Sequence, residues 1–134
     1  MTSTKPLKNL TILVVDDDEF QLEFTTELLE QIGITDISTA NSGASALTKF
    51  TGAFKKCDLL ICDLHMPGMD GFDFIGELSK RRFEGALIIV SGQEKRVRHS
   101  ASLVAQLSSL NYLGELEKPI TKLQLKALIS KIAS

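Results

Sequence analysis

The sequence predicts an α/β fold, a doubly wound five-stranded parallel sheet with helices on both faces, and three observations carry that prediction. Short apolar runs alternate strictly with longer amphipathic stretches along all 134 residues, the pattern of repeated strand–helix units. Three of the runs are apolar without interruption, as strands buried on both faces are. The remaining two carry polar residues and suit the edges of a sheet. Internal repeats, low-complexity tracts and linkers rich in Gly, Pro or Ser are absent from the sequence, so one domain is expected over 1–134, with residues 1–8 as an N-terminal tail.

Residues 10–15 read as the first strand. Phe20, Phe24, Leu28 and Ile32, with Leu22 and Leu29 beside them, mark a helix that Gly33 can end. A second strand is expected at 34–40, a second helix at 42–54, a third strand at 58–62 and a third helix at 72–82. A fourth strand follows at 86–90, a helix within 94–110 and a short strand at 113–117. The last helix, 121–133, places Leu123, Ala127, Leu128 and Ile132 on one face. Ile12-Leu13-Val14-Val15, Leu59-Leu60-Ile61 and Leu87-Ile88-Ile89-Val90 are the uninterrupted runs. With strands one, three and four central and two and five at the edges, the order is the flavodoxin-like 2-1-3-4-5.

A formal net charge of −2 argues against a broad basic surface and against direct nucleic-acid binding. The longest apolar runs, such as 86–90, are too short to span a bilayer, and residues 1–6 lack the apolar region of a secretory signal. Cys57 and Cys62 are five residues apart, which in one strand means opposite faces and about 16 Å. Two unbridged thiols fit a reducing, cytoplasmic setting.

In such a sheet, ligands bind beyond the carboxyl ends of the strands. Those ends carry Asp16-Asp17-Asp18, Asp63, Ser91 and Lys118-Pro119. Singly, each has a plain explanation as a helix cap, a turn former or a surface lysine. Together they deliver several carboxylates, a hydroxyl and an ammonium to one rim, where the carboxylates repel unless a cation offsets them. Formation of an acyl phosphate on a carboxylate suits this set. The nucleophile is held in line with phosphorus, and fixed cations offset charge on the transferring group. Asp17 and Asp63 can ligate Mg²⁺ (or Mn²⁺), with Asp16 placed to hold a metal-bound water. Lys118 can neutralise one phosphoryl oxygen and Ser91 can donate to another.

These residues resemble those of response-regulator receiver domains of two-component signalling. The matching pieces are Ile12-Leu13-Val14-Val15-Asp16-Asp17-Asp18, then Cys62-Asp63-Leu64-His65-Met66-Pro67-Gly68-Met69-Asp70-Gly71, Ile89-Val90-Ser91-Gly92 and Glu117-Lys118-Pro119-Ile120. The resemblance implies Asp63 as phospho-acceptor, charged by a histidine kinase or phosphotransfer protein. It implies a metal held by Asp17, Asp63 and the backbone carbonyl of His65, Ser91 as the switch hydroxyl and Lys118 as the phosphate-binding lysine. A cis Lys118–Pro119 peptide is also implied, as is an output domain or partner controlled through the 94–110 helix and fifth strand, with a phosphorylation-dependent dimer as one form. His65 and Gln93 occupy positions that flank the attacking water and tune phosphate lifetime.

Glu115 departs from the pattern, because the family often has an aromatic residue there; Tyr112 is near but out of register. Residues 113–120 also resemble receivers fused to cyclic-di-GMP phosphodiesterase (EAL-type) outputs. A stand-alone regulator and the N-terminal part of a longer one both fit. A haloacid-dehalogenase-like phosphohydrolase, prompted by Asp16-x-Asp18, leaves the Asp63 block unexplained. A receiver-like module that never takes phosphate fits poorly, because every site position is chemically competent. A nucleotide or flavin module lacks its glycine-rich loop.

Overall fold

A strand that is apolar on both faces is stable only between two neighbours and under two layers of helix, and the chain arranges its strands accordingly. The computed structural model describes residues 6–49, 57–63, 71–92 and 110–133, except for the side chains of 71, 72 and 133. A single 3₁₀ turn, Leu7–Asn9, leads into β1 (Thr11–Val15). There follow α1 (Glu19–Ile32), β2 (Asp36–Ala40), α2 (Gly43–Lys49), β3 (Leu59–Asp63) and α3 (Gly71–Lys80). β4 (Ala86–Ser91), β5 (Asn111–Glu117) and α4 (Lys122–Ala133) complete the described elements. The strands pair in parallel in the order β2-β1-β3-β4-β5, as the run compositions predict. Most of the helix expected at 94–110, and the end of the second helix beyond residue 49, lie outside the described residues.

Alternation along the central strands splits the core into two layers. Leu13, Val15, Leu60, Cys62, Leu87 and Ile89 face α2 and α3, where they meet Leu47, Phe74, Ile75 and Leu78. Ile12, Val14, Leu59, Ile61, Ile88 and Val90 face α1 and α4, against Leu22, Leu29, Leu125 and Ile129. The starts of α1, α2 and α4 are each fixed by a side-chain cap. The Phe20 amide donates to Asp18 Oδ1 at 2.9 Å, the Ser45 amide to Ser42 Oγ at 3.0 Å and the Gln124 amide to Thr121 Oγ1 at 3.2 Å. Gly33 closes α1 in the left-handed region at φ 111°, as its position in the sequence predicts.

Three expectations change. The buried stripe of α1 is Leu22, Thr25, Leu28 and Leu29, while Phe20 is 70% exposed. In α4 the inward stripe is Leu125 and Ile129, flanked by Leu128 and Ile132; Leu123 is 80% exposed. In both helices the inward face is rotated toward the residues beside the ladder while keeping Leu28, Leu128 and Ile132, because an i, i+4 ladder of apolar residues leaves the rotation of the helix undetermined when a second ladder runs beside it. Finally, Cys57 and Cys62 share one layer, because β3 begins at Leu59 and strand parity does not extend back to residue 57. Both thiols are buried. Burial pushes Cys57 up to about 12, and burial, then the Asp63 and Asp16 charges, raises Cys62 well above the usual thiol range. Iodoacetamide at pH 8 is therefore expected to alkylate both roughly 100-fold more slowly in the native protein than in urea. Fast labelling of the folded chain would contradict their burial.

The β4–β5 pairing contains a register shift between Leu87 and Ile88, which pair with Tyr112 and Gly114 and leave Leu113 as the extra residue. Gly114 sits at φ 152°, and a Cβ there would lie 2.9 Å from Leu128 Cδ2. Gly114→Ala is expected to cost about 1–3 kcal/mol in urea unfolding, from backbone strain and the clash with α4.

Candidate functional site

The carboxyl ends of the strands meet at one rim. Asp16 follows β1, Asp63 is the last residue of β3, Ser91 the last of β4, and Lys118 follows β5 directly. Register keeps them level: Val15 pairs with Cys62, Asp63 with Val90 and Ser91 with Glu117. Two backbone links tie the rim across the sheet. The Asp16 amide donates to Ala40 O, and the Lys118 amide to Ser91 O, each at 3.1 Å. The Lys118–Pro119 peptide is cis, as the resemblance implies.

Asp16, Asp63 and Ser91 are buried, whereas Asp17 is exposed. Carboxylate oxygens of Asp16, Asp17 and Asp63 lie within 4.8 Å of one another. Lys118 Nζ stands 3.0 Å from Asp16 Oδ2 and 3.6 Å from Asp63 Oδ2. Burial alone would lower the lysine, but the hydrogen bond to Asp16 and the charges of Asp63 and Asp16 outweigh it and raise its pKa. The Asp18 amide donates to Asp16 Oδ1 at 2.9 Å and so fixes that carboxylate, while the Asp18 side chain caps α1.

Five side chains singled out in the sequence, Asp16, Asp17, Asp63, Ser91 and Lys118, are thus brought to one rim. His65, most of the Met66–Gly71 block and Gln93 lie outside the described residues. The bulge alters the reading of Tyr112. Leu116 is buried in the α1/α4 layer, so alternation turns Glu115 to the opposite layer. Tyr112 packs against that same layer, which residues three apart can share only because one residue between them is extra. Nothing in the residue pattern announces this bulge except Gly114.

Three oxygens this close, two of them buried, suit a hard divalent cation that takes few protein carboxylates. The same rim, with a lysine bridging two buried carboxylates, suits a phosphoryl group at Asp63. Comparison with known proteins gives the family. The family model described as response regulator receiver domain matches residues 12–130. The cyclic di-GMP phosphodiesterase RocR of Pseudomonas aeruginosa is 28% identical over 128 residues, 93% of this chain but 32% of that protein. The chain thus spans about a third of that relative's length. The chemotaxis protein CheY of the same organism is 29% identical over 126 residues, 92% of this chain and 95% of that one. A response regulator receiver domain protein from Clostridium thermocellum superposes with a TM-score of 0.78 at 29% identity, covering 92% of this chain and 94% of that chain. Family match, sheet order and acidic rim point the same way, and the chain belongs to the response regulator receiver domains.

Proposed function

We propose that Asp63 is the phospho-acceptor of this receiver domain, and the observation that carries the proposal is Lys118 bridging Asp16 and Asp63 beside Asp17. An oxygen of the Asp63 carboxylate attacks the phosphorus of a phosphohistidine or a small acyl phosphate, and the bond to the donor breaks. Lys118 offsets one phosphoryl oxygen, and the Ser91 hydroxyl, on the next strand, donates to another. Asp17, Asp63 and the His65 carbonyl would hold Mg²⁺ (or Mn²⁺), with Asp16 orienting its water. When bound, the ion offsets negative charge on the transferring group.

The donor is a histidine kinase or phosphotransfer protein. Phosphorylation biases a two-state equilibrium, and the β4–β5 side carries the signal, with Glu115 and Tyr112 in place of a single aromatic. The likeness to RocR makes a cyclic-di-GMP phosphodiesterase the favoured output. The phosphohydrolase alternative is disfavoured because Asp18, which it needs as an acid beside Asp16, is spent capping α1. Incubation with acetyl phosphate and Mg²⁺ should add one phosphoryl group, recovered on the peptide containing Asp63 after borohydride reduction. Recovery on Asp16, with continuing phosphate release, would support the hydrolase instead.

A further inference from the structure

Phe20 and Leu123 are the exposed large apolar side chains among the described residues, and they occupy equivalent places on neighbouring helices. α1 and α4 pack side by side over one face of the sheet. Each starts at the carboxyl edge, so the two run parallel. Their first two turns match position for position, with Phe24 half-buried against the core and the others exposed. α1 begins Glu19-Phe20 and repeats Glu23-Phe24 one turn later; α4 begins Lys122-Leu123 and repeats Lys126-Ala127. One helix thus shows an acidic ladder beside an aromatic one, and the other a basic ladder beside an aliphatic one.

Neither ladder is neutralised among the described residues. Glu19, Glu23 and Glu27 repel along α1, and Lys122 and Lys126 along α4, since like charges four apart in a helix are unfavourable. Beside the acidic ladder lies a groove of about 370 Å³ lined by Phe20, Phe24, Glu19, Glu23 and Glu27 among others. An apolar groove with an acidic rim calls for an apolar side chain flanked by ammonium groups, which is what Leu123 between Lys122 and Lys126 provides.

We propose that this face pairs with a second copy of the chain. A twofold axis parallel to the helices and running between α1 and α4 sets α1 of each copy along α4 of the other. That contact is isologous and closes on itself. Glu19 then faces Lys122, Glu23 faces Lys126, and Leu123 seats against Phe20 and Phe24, twice per dimer. Both ladders are exposed without a phosphoryl group, so the pairing does not depend on one. It also leaves β4 and β5 clear, and is separate from any contact made on that side.

Sedimentation velocity on the whole chain tests this. The wild type should show a reversible monomer–dimer equilibrium at roughly 10–500 µM, as small interfaces do, weakening with added salt. Glu19→Lys with Glu23→Lys makes the facing positions of both helices basic, and Lys122→Glu with Lys126→Glu makes them acidic. Each double variant alone should dimerise at least tenfold more weakly. Mixed in equal amounts they should associate within a few-fold of the wild type, because one α1–α4 contact is then the native one and the other is the same pairing with its charges exchanged. Phe20→Ser in the basic variant should abolish that rescue. All these positions are exposed, so circular dichroism should be unchanged. A wild type that stays monomeric to about 1 mM would overturn the proposal. So would variants that dimerise as the wild type does, a mixture that fails to associate, or rescue that ignores Phe20.

Discussion

Asp63→Asn is expected to reduce phosphoryl uptake from acetyl phosphate to background, a loss of at least about 100-fold, with the fold intact. The amide keeps the shape of the carboxylate but is too poor a nucleophile to form the acyl phosphate. Stability should rise rather than fall. Asp16 and Asp63 are both buried and share one lysine, so the native state holds an excess of negative charge at the rim. Removing the Asp63 charge leaves Lys118 paired with Asp16 at the shorter distance of 3.0 Å. A gain of about 1 kcal/mol in urea unfolding is expected. Mg²⁺ should also stabilise the wild type more than the variant, since one of its proposed ligands is lost. Undiminished labelling of Asp63→Asn would remove Asp63 from the role.

The strand order and the rim were readable from sequence for a common reason. A parallel sheet forces its central strands to be apolar throughout, as 12–15, 59–61 and 87–90 are, and topology then fixes which residues follow each strand. Asp16, Asp63, Ser91 and Lys118 could be gathered without knowledge of any distance. Helix rotation was less readable. The ladder Phe20, Phe24, Leu28, Ile32 is a proper i, i+4 series, yet of it only Leu28 is fully buried, together with Leu22, Thr25 and Leu29 beside it. Thr25 is polar and carries no hydrophobic signal. The same ambiguity hid Leu123, whose exposure appears only once Leu125 and Ile129 are seen facing the sheet. The bulge at Leu113 was hidden differently: a single extra residue leaves composition unchanged but reverses parity for every residue before it. That is why Tyr112 looked out of register with Glu115 and yet shares its face.

Lys118→Met is expected to destabilise the fold through charge rather than packing. Methionine keeps much of the apolar stem but removes the lysine's charge from between the buried Asp16 and Asp63 carboxylates. Breaking a fully buried pair costs about 3–5 kcal/mol. Lys118 keeps 22% of its side-chain exposure, so solvent screening reduces the expected loss to about 1–3 kcal/mol. The pH dependence gives an independent check on the cause. The folded lysine titrates above its ordinary 10.5, because the gain from Asp16 and Asp63 exceeds the cost of burial. Its stabilising contribution is therefore complete below pH 10.5 and is lost only as the pH rises through the higher folded value. Wild type and variant should differ by a constant amount across neutral pH and converge in strong alkali. Millimolar Mg²⁺ should narrow the neutral gap, since a divalent ion held by the same carboxylates replaces part of the missing charge. A gap that persists unchanged in strong alkali and in Mg²⁺ would mean that Lys118 stabilises the rim by packing rather than by charge.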